Sequence, residues 1–285
     1  MSLDNTRFLS QVNLKAALPT GRFTSQEILD IAYDILLSDI VPFLITLRQE
    51  FFATKSTQSV VSGTNTYPIN SRALGSVLRE LKFTDSSGSI INLSQINPDD
   101  VNDSDSGVPE SFYFQGSNII LYPSSNTTGT LTQTYFQRPS KPVEVSTCAQ
   151  ITAFDTLTGI VTATPYSTWT TSNTFDLVSA NQIIAKDLTA VAISSTTVTF
   201  TASDLPSNLA IGDYIALAQE SPYMTAQDDV IPLLQQLTIV DLLESMGDAN
   251  AVQLTGAKAE KLRAGLARVM GIRVQGESVK LKPQV

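Results

Sequence analysis

Residues 109–142 read PESFYFQGSNIILYPSSNTTGTLTQTYFQRPSKP, and three apolar runs within them predict three strands. Ser111 to Gln115 carries Phe112, Tyr113 and Phe114, and Ile119 to Tyr122 is a compact apolar run. Leu131 to Phe136 sets Leu131, Gln133 and Tyr135 against Thr132, Thr134 and Phe136, the period of two expected of a strand with distinct faces. Gly116-Ser117-Asn118 supplies a tight turn and Pro123 to Gly129 a longer one. Pro139 and Pro142 end pairing, because proline has no N–H to give to a ladder. The stretch therefore predicts an antiparallel meander.

Outward from that centre, composition narrows the chemistry. The chain has 285 residues, enough for one large domain or two. Only 16% are charged, and serine and threonine fill much of the difference, which suits β-structure and surfaces covered by neighbours. There is no histidine, so Ser-His-Asp and Cys-His nucleophiles, imidazole bases and histidine metal sites are all excluded. Cys148 stands alone, which removes internal disulfides and cysteine zinc sites and leaves it as a small packing residue. The net charge of −9 argues against general binding to nucleic-acid phosphates. MSLDNTRFLSQVNLK lacks the basic and apolar parts of a signal peptide. Ile28 to Leu47 is interrupted by Asp30, Asp34 and Asp39, each costing roughly 2.5–3.5 kcal/mol near a bilayer centre, and reads as a buried helix instead of a membrane span.

Towards the N-terminus, Thr24-Ser25-Gln26-Glu27 is a capping-box pattern. Ile28, Ile31, Ala32, Ile35, Leu36 and Ile40 then form one helical stripe, with Asp30, Asp34 and Ser38 opposite on a solvated face. Pro42 should kink or split this helix, whose pattern runs on to about Ala53. Lys55 to Ile69 predicts a strand, residues 70–74 a helical turn, and Val77 to Phe83 a strand joined through Asp85–Gly88 to Ile90–Leu93. Residues 97–108 form an acidic loop. Asp100, Asn102, Asp103 and Asp105 faintly resemble a calcium loop, but Gly107 stands where a third ligand belongs and no glutamate follows at the twelfth place. No metal or cofactor is expected.

From Val143 to Glu220 charges thin out and seven short strands follow one another, which predicts a small barrel or sandwich. Trp169 lies in its turn-like YSTWTTSN, as a platform for a sugar ring or as a plug at the barrel end. After Pro222 the period turns helical again, first from Val230 to Gly247 and then from about Asn250 to Met270, with Gly271 as a C-cap. The last segment, 271–285, is polar and interrupted by Gly276 and Pro283, hence extended. From Lys258 onward there are seven Lys/Arg and two Asp/Glu, against eleven and twenty-five before it. An acidic body carries a basic tail.

The expected fold class is α+β, a helical bundle with an antiparallel β-meander and an inserted all-β domain. Residues 1–142 and 221–270 make the body, 143–220 the insert and 271–285 a C-terminal arm.

The order of parts resembles the head-to-tail adaptor (connector) proteins of tailed bacteriophages. The matching stretches are the helix after FTSQEIL, Tyr67-Pro68 with Ser71-Arg72-Ala73, Pro109 to Tyr113, Ile119 to Pro123, and Leu131 to Tyr135 closing on Arg138-Pro139. They continue with Gly212 to Leu217, Glu220-Ser221-Pro222 and Ile231-Pro232-x-Leu234. The resemblance implies a structural virion protein assembled in the host cytoplasm, without enzymatic activity. It implies a homo-oligomeric ring of twelve copies that docks under the portal protein, joins it to the next tail protein and lines part of the DNA channel. The acidic body suits such a wall, since repelled phosphates slide instead of sticking, and no membrane partner is implied. The arm, through Arg273, Val274, Val279, Lys280, Leu281 and Lys282, is the segment expected to reach the portal. Two other classes compete. A tail-associated carbohydrate-binding protein would use the β-insert and Trp169, against which the helical C-terminus counts. A glycosidase would need two carboxylates about 5–10 Å apart, whereas glutamates here are scarce and lie on helix faces.

Overall fold

The structure is a computed structural model that describes residues 4–19, 21–101, 105–180 and 182–270, and the chain is mixed α+β. It divides into two units, Gln49–Arg138 on one hand and Met1–Arg48 with Pro139–Val285 on the other.

Residues 49–138 are built from strands. They are β1 (Ala53–Val60), β2 (Thr66–Pro68), β3 (Ala73–Asp85), β4 (Ile90–Asn92), β5 (Ser94–Gln95), β6 (Ser106–Gly107), β7 (Ser111–Gln115), β8 (Asn118–Tyr122), β9 (Ser124–Ser125) and β10 (Gly129–Gln137). Two four-stranded sheets form, in the orders β1-β10-β3-β4 and β2-β8-β7-β5, with β6 and β9 as a short parallel pair. The first sheet gives Val60, Leu81, Phe83 and Leu131 to a core completed from the second by Tyr67, Phe112, Ile119 and Leu121. All of these are apolar residues on the inward phase of an alternating strand.

All three predicted strands are present, but they do not form one meander. β7 and β8 pair antiparallel through the turn at Gly116, while β10 leaves that sheet and lies between β1 and β3. The intervening β9 pairs with β6 and takes the chain across. The nine residues of β10 find partner strands eight and thirteen residues long in β1 and β3, where β8 offers five. Buried Gln133 fixes the placement, accepting from Asn70 N at 3.0 Å and donating to Pro68 O at 2.9 Å. Gly129 starts β10 where a Cβ would stand 2.4 Å from Thr84 O, so only glycine fits. The predicted strand 55–69 is likewise two strands in two sheets, and the predicted turn at 70–74 feeds directly into β3.

The other unit carries α1 (Asn5–Ala16), α2 (Ser25–Ile35), α3 (Val41–Leu47), α4 (Ile231–Ser245) and α5 (Ala249–Met270). Both halves of the capping box form at α2: Thr24 N donates to Glu27 Oε2 at 2.7 Å and Glu27 N to Thr24 Oγ1 at 3.2 Å. Between α2 and α3 the residues Leu36–Ile40 widen into a π-turn, with Val41 N bonded to Leu36 O. Pro42 then falls in the first turn of α3, where its missing N–H does least harm. α4 packs against α1, α2 and α5.

The same unit holds β11 (Lys141–Pro142), β12 (Ala149–Gln150), β13 (Ala153–Asp155), β14 (Ile160–Thr162), β15 (Thr174–Val178), β16 (Ile183–Thr189), β17 (Ala192–Ile193), β18 (Thr197–Thr199), β19 (Tyr214–Leu217) and β20 (Glu220–Ser221). Two open four-stranded sheets run β12-β19-β15-β16 and β13-β14-β18-β17, and among the described residues no barrel closes. Phe175, Leu177 and Ile215 from one sheet meet Val161 and Val198 from the other in a core of their own. Buried Asp176 accepts from Asp187 N and Gln219 N, 3.0 Å each, and both donors have left-handed backbones with φ of 55° and 66°. One carboxylate thus holds two unfavourable conformations in place. The compact units part at 48/49 and 138/139, and the strands of 143–220 fall in the same unit as the helices. No helix among the described residues is long and apolar enough to cross a membrane.

Candidate functional site

The first candidate region is the neck at which the strands of 143–220 leave and rejoin the helices. β11 and β20 run parallel side by side, pairing Lys141 with Glu220 and Pro142 with Ser221. Asn5, at the start of α1 and fully buried, donates from Nδ2 to Val143 O at 2.6 Å and Ser221 O at 2.9 Å. Its backbone N bonds Pro222 O at 3.0 Å, so one residue ties both crossings to the first helix. On the α2 side, Lys141 Nζ lies 2.9 Å from Asp30 Oδ1, which also accepts from Gln26 Nε2 at 2.9 Å. Asp30 holds the lysine above its usual pKa, while burial pushes Glu220 up and the Lys141 charge draws it partly back. Burial drives the nearby Cys148 thiol up to about 12, leaving it protonated and unreactive at neutral pH. Tyr214 and Tyr223 meet edge to face at 5.8 Å beside these groups. The neck is a set of fastenings.

The second region is the outer side of α5. Its inner side rests on α4, where Gln236 Nε2 donates to Thr255 O at 3.2 Å, while Arg263 pairs with Asp39 of the π-turn and lies over the Phe43 ring of α3, 5.5 Å from its centroid. Leu254, Lys258, Lys261 and Arg268 are exposed, Leu254 at 77%. At the α1 side, Lys15 Nζ donates to Gln235 Oε1 at 2.9 Å, and Gln235 Nε2 donates to Gln11 Oε1 at 2.5 Å. Burial first, and then the charge of Lys258, lowers the pKa of Lys15.

No protein-family model matches the chain, and no curated protein does.

The predicted docking residues Arg273, Val274, Val279, Lys280, Leu281 and Lys282 lie outside the described residues, as do Asn102 and Asp103 of the acidic loop. Asp105, another candidate ligand at the end of that loop, accepts from the Tyr122 hydroxyl. No cluster of three His, Cys, Asp or Glu suited to a metal ion occurs among the described residues. Trp169 is 7% exposed and packs edge-on to Phe175 at 5.0 Å, which makes it part of the core and removes it as a sugar platform. Asp30 is taken up by Lys141, and Asp34 lies exposed on its helix face. Sequence reading passed over both the neck and the α5 face. The second had a signal, since Leu254, Lys258 and Lys261 are spaced i, i+4, i+7. The role of Asn5 had none, because its partners are 138 and 216 residues away.

Proposed function

We propose that the chain is a structural virion protein, a head-to-tail adaptor that forms a ring under a portal, joins it to the tail and lines part of the DNA channel. In this reading the helices are a bundle, residues 143–220 are an inserted domain, and the arm 271–285 contacts the portal. The observation that carries it is the neck. Parallel pairing of β11 with β20 lets a β-rich segment with its own core depart from the helices and return at one point. That matches the part order on which the adaptor resemblance rests. The net charge of −9 adds a second support, since a wall of that sign lets a polyanion pass without sticking. The carbohydrate-binding alternative loses its support with the burial of Trp169.

Native mass spectrometry of the purified chain, alone and with portal-bearing heads, tests the proposal. A closed oligomer of about twelve copies, or retention of the chain on heads bearing a portal and not on heads lacking one, is the expected result. A chain that stays monomeric and ignores portals overturns it.

A further inference from the structure

We infer that the exposed basic face of α5 docks onto the acidic end of α4 in a second copy of this chain. The inference rests on the ring reading and names the surfaces that would build the ring. The chain is divided in charge at the start of α5. Residues 1–248 carry eleven Lys/Arg and twenty-five Asp/Glu, while α5 carries four and one. Of the four, Arg263 is spent on Asp39 and Phe43 within the same chain. Lys258, Lys261 and Arg268 are exposed, and no ion pair joins them to another described residue.

The complementary patch lies on the same helical hairpin. Asp241 and Glu244 are exposed and one turn apart near the C-terminal end of α4, and their carboxylates likewise have no ion-pair partner among the described residues. A helix C-terminus carries negative partial charge, so carboxylates there are unfavourable unless a cation comes close. The last turn of α4 supplies no basic residue. Asp248 beyond it is occupied as a cap, accepting from Ala251 N at 3.0 Å.

The basic face and the acidic end therefore each lack what the other offers. Within one chain they stand apart: Gln236 bonds Thr255 O across the antiparallel hairpin, a register that sets Lys258 beside the first turn of α4, eight residues or about 12 Å along the axis from Asp241. Two different patches joining head to tail form a heterologous contact, which closes into a ring when the rotation between copies allows it. Leu254, one turn before Lys258 on the same stripe, would be covered in that contact.

Sedimentation velocity at low salt tests this with the full-length chain and three variants. Lys258→Glu with Lys261→Glu should weaken assembly at least about tenfold, and so should Asp241→Lys with Glu244→Lys, because each sets like charges face to face. The fourfold variant carrying both reversals should assemble again, as should an equimolar mixture of the two double variants. Circular dichroism melts close to that of the unmodified chain confirm that these exposed sites leave the fold intact. If the unmodified chain assembles and neither reversal weakens it, or the fourfold variant fails to recover, the inference is overturned and the ring reading stands. An unmodified chain that never assembles, at any salt or concentration, sinks both.

Discussion

Nine of the fifteen residues of α4 are buried, whereas α5 buries three of its twenty-two. The two helices are adjacent in sequence and pack on each other, yet one is surrounded and the other is half bare. α4 is covered by α1, α2 and α5, so apolar residues are needed on almost every side of it. Its polar residues remain inside only when matched: Gln235 to Gln11 and Lys15, Gln236 to Thr255 O, and Thr238 Oγ1 to Leu234 O at 2.8 Å. α5 has a narrow apolar line of Ala259, Leu266 and Met270, and its charges lie open. The contrast teaches that helix length says little about stability here. What counts is how many neighbours a helix has, and a long helix with few of them keeps a face in reserve.

Truncation tests the contrast most strongly. Leu234→Ala, at a fully buried site in α4, should cost about 2–5 kcal/mol by urea denaturation. Leu254→Ala in α5 should stay within about 0.5 kcal/mol of the unmodified chain. Equal losses at the two sites would erase the distinction between a surrounded helix and a half-bare one.

A smaller effect probes where α5 is fastened. Arg263→Ala removes both the pair with Asp39 and the stacking on Phe43, and should lower stability by about 1 kcal/mol. Asp39→Asn should lose less, since the ring contact survives it. If the two variants melt together, the aromatic contact contributes nothing and α5 is held by α4 alone.

The smallest effect concerns pH. The folded pKa of Lys15 lies below its usual 10.5, by burial and then by Lys258. The unfolded chain therefore binds more protons between the two values, and stability attached to this group rises as pH climbs through that window. Lys258→Ala relieves the repulsion while Lys15 is charged. It should raise the urea midpoint slightly at neutral pH and lose that advantage once pH exceeds 10.5. A difference that persists unchanged above that pH would show that Lys258 acts through something other than the Lys15 charge.

Much of this architecture was legible because it is local. Ser111–Gln115 follows its predicted bounds, and the last two helices differ from theirs by two residues or fewer, since a short apolar run closed by a turn or twenty residues of helical period announce themselves without distant partners. The Asp85 turn was equally plain, with Oδ1 accepting from Ser87 N and Ser89 N at 2.9 Å. The destination of β10 was not. Its alternation suits any sheet with a free edge, and the choice between β8 and the gap between β1 and β3 depends on ladder length and on Gln133, which periodicity does not carry. Trp169 was ambiguous for a related reason: its surroundings in sequence are turn-like, but its neighbours in space are Phe175 and the rest of an apolar core. The two candidate regions divide in the same way. A stripe on one helix can be read from spacing, whereas a neck assembled from residues 5, 141–143 and 220–222 exists only after folding.

That neck also orders events in time. Asn5 is made long before one of its acceptors, Ser221 O, which follows 216 residues later. At about 5–20 residues per second, translation needs roughly 10–40 s to bring that acceptor into being. Until then α1 has α2 beside it but neither its neck nor α4 to rest on, and Phe8, Leu9 and Val12 lack part of their cover. α1 is thus made long before the partners that seat it, and its docking is a late event in the folding of the chain.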